Sequence, residues 1–248
     1  STYKALQEMN GYTSIDQYTQ CPNFYYTQSK KVNRVFHYFS TIPTVYRESL
    51  RLKDGNPLSE IDCRNCQPLI MGLKYIYSKK NQTHDDKMLF EDLTKGNFYE
   101  RIREHALSKG NLELYNLFTD DKGTFKEIIL GQGLYFNYLP LESIKNAERY
   151  LIELYPNFMN YLRERKRING YKSVSIEAQQ IEASIFIDEL FTSLKQNEFA
   201  VPVHDAIIVK SEQANDFLIK LSDIFRGKFP LLSQQQVRDL FRIKKYHG

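Results

Sequence analysis

The chain is predicted to be α+β, and three observations carry that prediction. Two runs rich in β-branched, aromatic or alternating residues come first, a long middle stretch repeats its apolar residues at helical spacing, and two short apolar runs split by a polar pair come near the end. With 248 residues, 42% of them hydrophobic and 26% charged, the chain is long enough for a substantial core and is neither a disordered tail nor a low-complexity segment.

In chain order, residues 1–31 are polar and aromatic without a clear period. Residues 32–39 (VNRVFHYF) read as a strand, and residues 58–63 (LSEIDC) as a second strand ending beside Asp62. Pro68, Leu69, Ile70, Leu73 and Ile76 then have helical spacing. Helix starts and stops follow: Thr83 with Asp85-Asp86 opens one helix and Gly96 closes it, and Asn97 with Glu100 opens the next, which Gly110 closes. Asp120-Asp121 caps a helix carrying Lys122, Lys126, Ile129 and Leu130. Further helices are expected over 141–155, 157–168 and 175–196, the last being the most amphipathic. Residues 199–203 and 206–209 read as a hairpin with His204-Asp205 at its tip. Ser211 is expected to cap a final helix, and residues 230–248 have weak helical character.

Composition excludes little by itself. Thirty-four Lys plus Arg against 30 Asp plus Glu give +4, which permits a nucleic-acid partner without requiring one. No apolar run reaches the ~20 residues of a membrane-spanning helix and no signal-peptide pattern opens the chain, so a soluble, intracellular protein without a membrane partner is expected. The start without Met suggests an excised fragment or a tag remnant. Three cysteines give no disulfide framework, and Cys63-x-x-Cys66 has no second half for zinc.

Two acids stand where acids are costly. Asp62 ends an apolar strand and Asp205 tips an apolar hairpin, and a carboxylate near a low-dielectric core needs a cation. If the strands are neighbours, the two acids can share two divalent ions about 3.5–4 Å apart, an arrangement suited to phosphoryl transfer, and hard oxygen ligands favour Mg²⁺ or Mn²⁺. The plainer alternative makes Asp62 a helix cap and Asp205 a turn residue. A His-Asp metal phosphohydrolase is disfavoured because His37, His84, His105 and His247 show no ligand spacing. Lys122 and Lys126 share one helix face near its N-terminus, a place for a polyphosphate or, alternatively, a solvated basic face. Residues 163–167 (RERKR), with Tyr161 and Tyr171, read equally as a phosphate-holding patch and as a polar helix end.

These residues carry a resemblance. Residues 60–68 (EIDCRNCQP) resemble motif A of the family A, DNA polymerase I-like, DNA polymerases, and residues 122–130 (KGTFKEIIL) resemble motif B. Residues 202–207 (PVHDAI) resemble motif C, and residues 177–182 (EAQQIE) lie where that family has a Gln-bearing helix. The order is kept over roughly residues 34–228. The resemblance implies a right-hand palm, a small antiparallel sheet with packed helices, and helical fingers. Residues 1–80 would be the N-terminal segment and the motif A palm strand, 81–170 the fingers, and 171–248 the palm helix, motif C hairpin and last helix.

It further implies that Asp62, Asp205 and the Cys63 carbonyl hold two Mg²⁺ ions, with Mn²⁺ able to substitute. Lys126 would act on the triphosphate and its leaving group, and Lys122 would replace the usual Arg as a weaker phosphate contact. Gln67 would stand against a ribose 2′-hydroxyl, Tyr135 would serve the nucleotide pocket, and Gln180, or Gln179 one step away, would read the primer-terminal minor groove. Primer–template DNA and deoxynucleoside triphosphates are the implied partners, with other domains or a replication complex beside them, in the cytoplasm of a bacterial or virus-infected cell.

The sequence departs from the pattern in three places. Leu130 replaces an aromatic, Ala206 replaces an acid, and Tyr135 falls one position late unless the helix is distorted near Gly131 and Gly133. A degenerate primer–template-binding module and an RNA- or primer-synthesising enzyme are the alternatives.

Overall fold

The computed structural model describes residues 26–32, 34–37, 47, 48, 52 and 55–246. Strands β1 (Tyr26–Gln28), β2 (Val35–His37) and β3 (Leu58–Cys63) come first. Helices α1 (Cys66–Tyr77), α2 (His84–Thr94), α3 (Phe98–Ser108), α4 (Leu112–Asp120) and α5 (Lys122–Ile128) follow, and α5 runs into a π-helix, Ile129–Leu134. After a 3₁₀ turn at Leu141–Ser143 come α6 (Asn146–Leu154), α7 (Pro156–Asn169) and α8 (Ser173–Ala183), which continues as a second π-helix, Ser184–Glu189. The chain ends with β4 (Ala200–Val203), β5 (Ala206–Lys210), α9 (Ala214–Lys228), α10 (Gln234–Leu240) and β6 (Phe241–Lys245).

Two units, neither contiguous in sequence, make up the chain: residues 1–63, 183–230 and 241–248 form one, and residues 64–182 and 231–240 the other. In the first, β4, β5, β3 and β6 make a four-stranded antiparallel sheet in that order, and β1 pairs with β2. The α+β expectation therefore holds. Strand β3 is interior, and it is buried beyond the half-buried pattern its alternation suggests, because its polar residues are satisfied internally. Ser59 Oγ bonds Ser211 Oγ at 2.8 Å, and the Tyr246 hydroxyl donates to Glu60 at 2.6 Å. Leu58, Val203, Ile208 and Tyr246 form one apolar cluster; Phe186, Phe225, Phe229 and Phe241 form another from tilted and edge-on rings.

In the second unit, Tyr75 meets Phe158 and Tyr161, and Phe98 stacks on Tyr155 and touches Tyr99; all of these rings are core except Tyr161, which is half-buried. The capping box expected at Thr83 is present: its hydroxyl accepts from the Asp86 N–H at 3.3 Å and the Asp86 carboxylate accepts from the Thr83 N–H at 2.8 Å.

Four expectations need correction. Helix α4 was not expected at all, although Asn111 caps it by accepting from the Leu114 N–H. Ser211 does not cap α9, since its hydroxyl is used by Ser59 and Gln213 stands at the cap. The helix expected over 175–196 widens to a π-helix midway. The weakly helical end contains β6, which pairs with β3 from Ser59↔Lys245 to Cys63↔Phe241. The first expected strand is β2 alone among the described residues: Val32 lies in a turn and Arg34 precedes the strand, while residues 33, 38 and 39 lie outside the described residues. Among the described residues no helix is long and apolar enough to cross a membrane.

Candidate functional site

Antiparallel pairing brings the two acids to successive rungs at one end of the sheet. Asp62 is paired with Ala206 on β5 and with Arg242 on β6, and on the next rung the Cys63 N–H donates to the Asp205 carbonyl at 3.1 Å. In an antiparallel strand a residue's N–H and C=O share one edge, so the Cys63 carbonyl also faces the hairpin. Strict alternation would send Asp62 and a strand residue at 205 to opposite faces. Asp205 escapes that rule because it lies in the two-residue turn, next to His204, whose φ is 57°.

His204 and Asn65 are the only non-glycine residues with positive φ among the described residues. His204 directly precedes Asp205, and Asn65 comes three residues after Asp62. Asn65, at φ 52°, turns the chain from β3 into α1 within two residues. Helix α1 has no side-chain cap and no acid in its first turn, so the positive end of its dipole is not offset by a nearby carboxylate of its own.

The donor set at this end of the sheet is all oxygen: two half-buried carboxylates, and a carbonyl edge. No group of three or more His, Cys, Asp or Glu side chains able to hold a metal occurs among the described residues. A pair fits a Mg²⁺ ion that keeps water and takes phosphate oxygens from a substrate, whereas a resident structural metal would need a closed cage. By donor chemistry alone, Mg²⁺ is the ion that such an oxygen pair would suit.

The other predicted residues belong to the second unit. Asp121 caps α5 by accepting from the Thr124 N–H at 3.1 Å. Lys122 pairs with Glu100 at 3.1 Å and lies over the Phe118 ring. Lys126, one turn on and half-buried, lies over the Tyr99 ring at 5.4 Å. Of these two lysines, Lys122 alone has an acidic partner among the described residues, and exposed pairs of that kind contribute only about 0–1 kcal/mol. Tyr135 follows the π-helix and is half-buried. Gln180 is exposed and Gln179 half-buried, so of the two, Gln179 is the more enclosed.

Gln67 Nε2 donates to Glu182 Oε2 at 3.2 Å, and Glu182 is 1% exposed. Glu182 is not among the residues expected from sequence, where its one signal is a position three residues after Gln179 in the Gln-bearing segment.

The basic run 163–167 is not a free patch. Arg163 pairs with the buried Glu148 at 2.6 Å and donates to the Leu139 carbonyl at 2.5 Å. Arg165 pairs with Glu177 and Arg167 with Glu164, each at 2.6 Å. Lys166 is buried, and burial pushes its ammonium down to about 8; the nearby Glu148 opposes that shift and Arg163 adds to it.

No protein-family model matches the chain, and comparisons with curated proteins and with solved structures also give no match.

Proposed function

We propose that the chain is a template-directed DNA polymerase core that adds deoxynucleotides to a primer 3′-hydroxyl. The observation that carries this reading is the pair of successive rungs, Asp62–Ala206 and Cys63–Asp205, which join two acids distant in sequence at one end of one sheet. The motif order around them, and a capped helix bearing Lys122 and Lys126, support it.

Asp62, Asp205 and the Cys63 carbonyl would hold Mg²⁺. The chemistry such ions would supply is activation of the primer hydroxyl and charge neutralisation at the leaving pyrophosphate. Lys126 binds the triphosphate through its ammonium and is placed by this reading to give a proton from Nζ to the leaving group. Lys122 adds a second cation once the polyphosphate displaces Glu100. Gln67 stands against the sugar at C2′ and favours deoxyribose, Tyr135 packs in the nucleotide pocket, and Gln180 or its neighbour Gln179 donates to minor-groove acceptors common to every base pair. Right-hand palm and fingers are the architecture this reading assigns.

The test is extension of a labelled primer–template with Mg²⁺ or Mn²⁺, with deoxy- and ribonucleotides offered separately, beside Asp62→Ala and Asp205→Ala. Extension with deoxynucleotides that both variants lose, with primer–template binding retained, is the expected result. Growth with ribonucleotides only would transfer the chain to RNA or primer synthesis. The Glu100–Lys122 pair and the missing aromatic at Leu130 favour one second reading, a module that binds primer–template without extending it. Binding without growth would select that module.

A further inference from the structure

The Gln67–Glu182 bond has a direction. A carboxylate accepts hydrogen bonds, so Nε2 of Gln67 turns toward Glu182 and Oε1 is the end left to face elsewhere. A glutamine with no such neighbour presents either end. Helices α1 and α8 are joined again two turns along α1, where Lys74 pairs with Glu177, itself bonded by Arg165. Positions 67 and 74 are seven apart and lie on one face of α1. Gln67 therefore projects from a helix held to its partner at two levels, and swinging its side chain away costs a bond to a buried carboxylate.

We infer that Glu182 is a positioning residue for sugar selection: by holding Nε2 it keeps Gln67 in one orientation with Oε1 presented, and this sets the preference for deoxyribose over ribose. The inference rests on the polymerase reading above. It also accounts for a glutamine at the position where the resemblance expects a glutamate. A carboxylate at 67 would meet that of Glu182 in a buried setting, and two acids sharing such a place cannot both ionise readily. One acid and one amide remove the conflict, with the acid carried by α8.

The experiment measures kcat/KM for a deoxy- and a ribonucleoside triphosphate of the same base on one primer–template. It compares the parent chain with Glu182→Ala, Glu182→Gln, Gln67→Glu, and the double exchange of Gln67→Glu with Glu182→Gln. Glu182→Ala lowers the deoxy-to-ribo ratio about tenfold. Glu182→Gln, whose side-chain carbonyl still accepts from Gln67, keeps it within about threefold. Gln67→Glu lowers the ratio, and the double exchange restores it, because donor and acceptor have traded places.

Thermal melts run alongside identify any variant that fails to fold; such damage slows both sugars together, whereas lost positioning moves the ratio. If Glu182→Ala does not fold, Glu182→Gln and the double exchange decide. A parental ratio in Glu182→Ala, or a double exchange no better than Gln67→Glu alone, overturns the inference and leaves the polymerase reading standing. Failure of the parent chain to extend with either sugar overturns that reading and the inference with it.

Discussion

The Tyr135 N–H donates to the Leu130 carbonyl at 2.8 Å, five residues back. That bond is the π-turn's own hydrogen bond, and it takes up one extra residue in the helix's last turn, with Tyr135 at the C-cap. Lys122, Lys126 and Leu130 are spaced by four, as in the motif they resemble, and the next position on that face would be 134. The widened turn passes the face to Tyr135. The late position of Tyr135 is thus a local distortion of the predicted kind, around Gly131 and Gly133.

Those two glycines differ in what surrounds them. A Cβ on Gly133 would meet Leu151 Cδ1 at 2.6 Å and the Ala147 carbonyl group at 3.6 Å, while one on Gly131 meets nothing within 4 Å. Gly133→Ala should destabilise the fold by about 1–3 kcal/mol through overpacking against α6. Gly131→Ala should be neutral or stabilise by up to about 1 kcal/mol. Urea denaturation of both variants measures this, and equal effects would refute the contrast.

Under the polymerase reading, Lys122 and Lys126 should separate in kinetics. Lys126→Ala is expected to raise the nucleotide KM or lower kcat at least about tenfold, the scale of a lost charge-assisted contact. Lys122→Ala should cost about threefold or less, because Glu100 already competes for that ammonium. Glu100→Gln should lower the nucleotide KM slightly. Steady-state extension at varied nucleotide concentration distinguishes the three.

Lys166 makes stability depend on pH in the alkaline range. Its folded value of about 8 lies below its ordinary 10.5, so between those pH values the unfolded chain binds more protons and stability rises with pH. Below pH 8 the cost of the buried ammonium, on the order of 3 kcal/mol, is fully present. Lys166→Met should be more stable than the parent at pH 7, and the difference should shrink steadily from pH 8 to 10.5. Guanidinium titrations at three pH values test it; a constant difference would place the proton elsewhere.

Arg163→Ala should cost about 3–5 kcal/mol, the scale for stripping one partner from a buried ion pair. Lys166 stands close enough to offset part of that loss, so the lower end is expected. The loss should appear in thermal or chemical unfolding, with primer–template affinity changed less than twofold. A large affinity change at unchanged stability would return residue 163 to the phosphate-holding role.

The elements legible in sequence were those with a local cause. Strand β3 runs over the residues its alternation marked, the hairpin turns at His204-Asp205, and the Thr83 capping box is in place. Strand β6 was hidden because its alternation, Phe241-Arg242-Ile243-Lys244, is only four residues long and ends in a second lysine, Lys245; exposed charges are usual on an edge strand. The π-turns have no composition signal of their own. The pairing of Asp62 with β5 was foreseen only as a condition, since register is set by residues far away in sequence. The neutralisation of residues 163–167 was invisible for the same reason: Glu148 and Glu177 lie on other helices. Glu182 was missed because a glutamate within a helix does not reveal what it touches.

The interior place of β3 also dictates an order of events during synthesis. Its partners are residues 206–210 and 241–245, so the strand bearing Asp62 leaves the ribosome about 145 residues before the first of them, roughly ten to thirty seconds earlier at ordinary elongation rates. The helices of residues 64–182 draw mostly on nearby sequence and have what they need first, whereas the sheet waits for contacts of very long separation. The nascent chain therefore carries β3 without its sheet partners until residues 206–210 have emerged, and the rung that joins Asp62 to the hairpin forms only after the helices of residues 64–182 have been made.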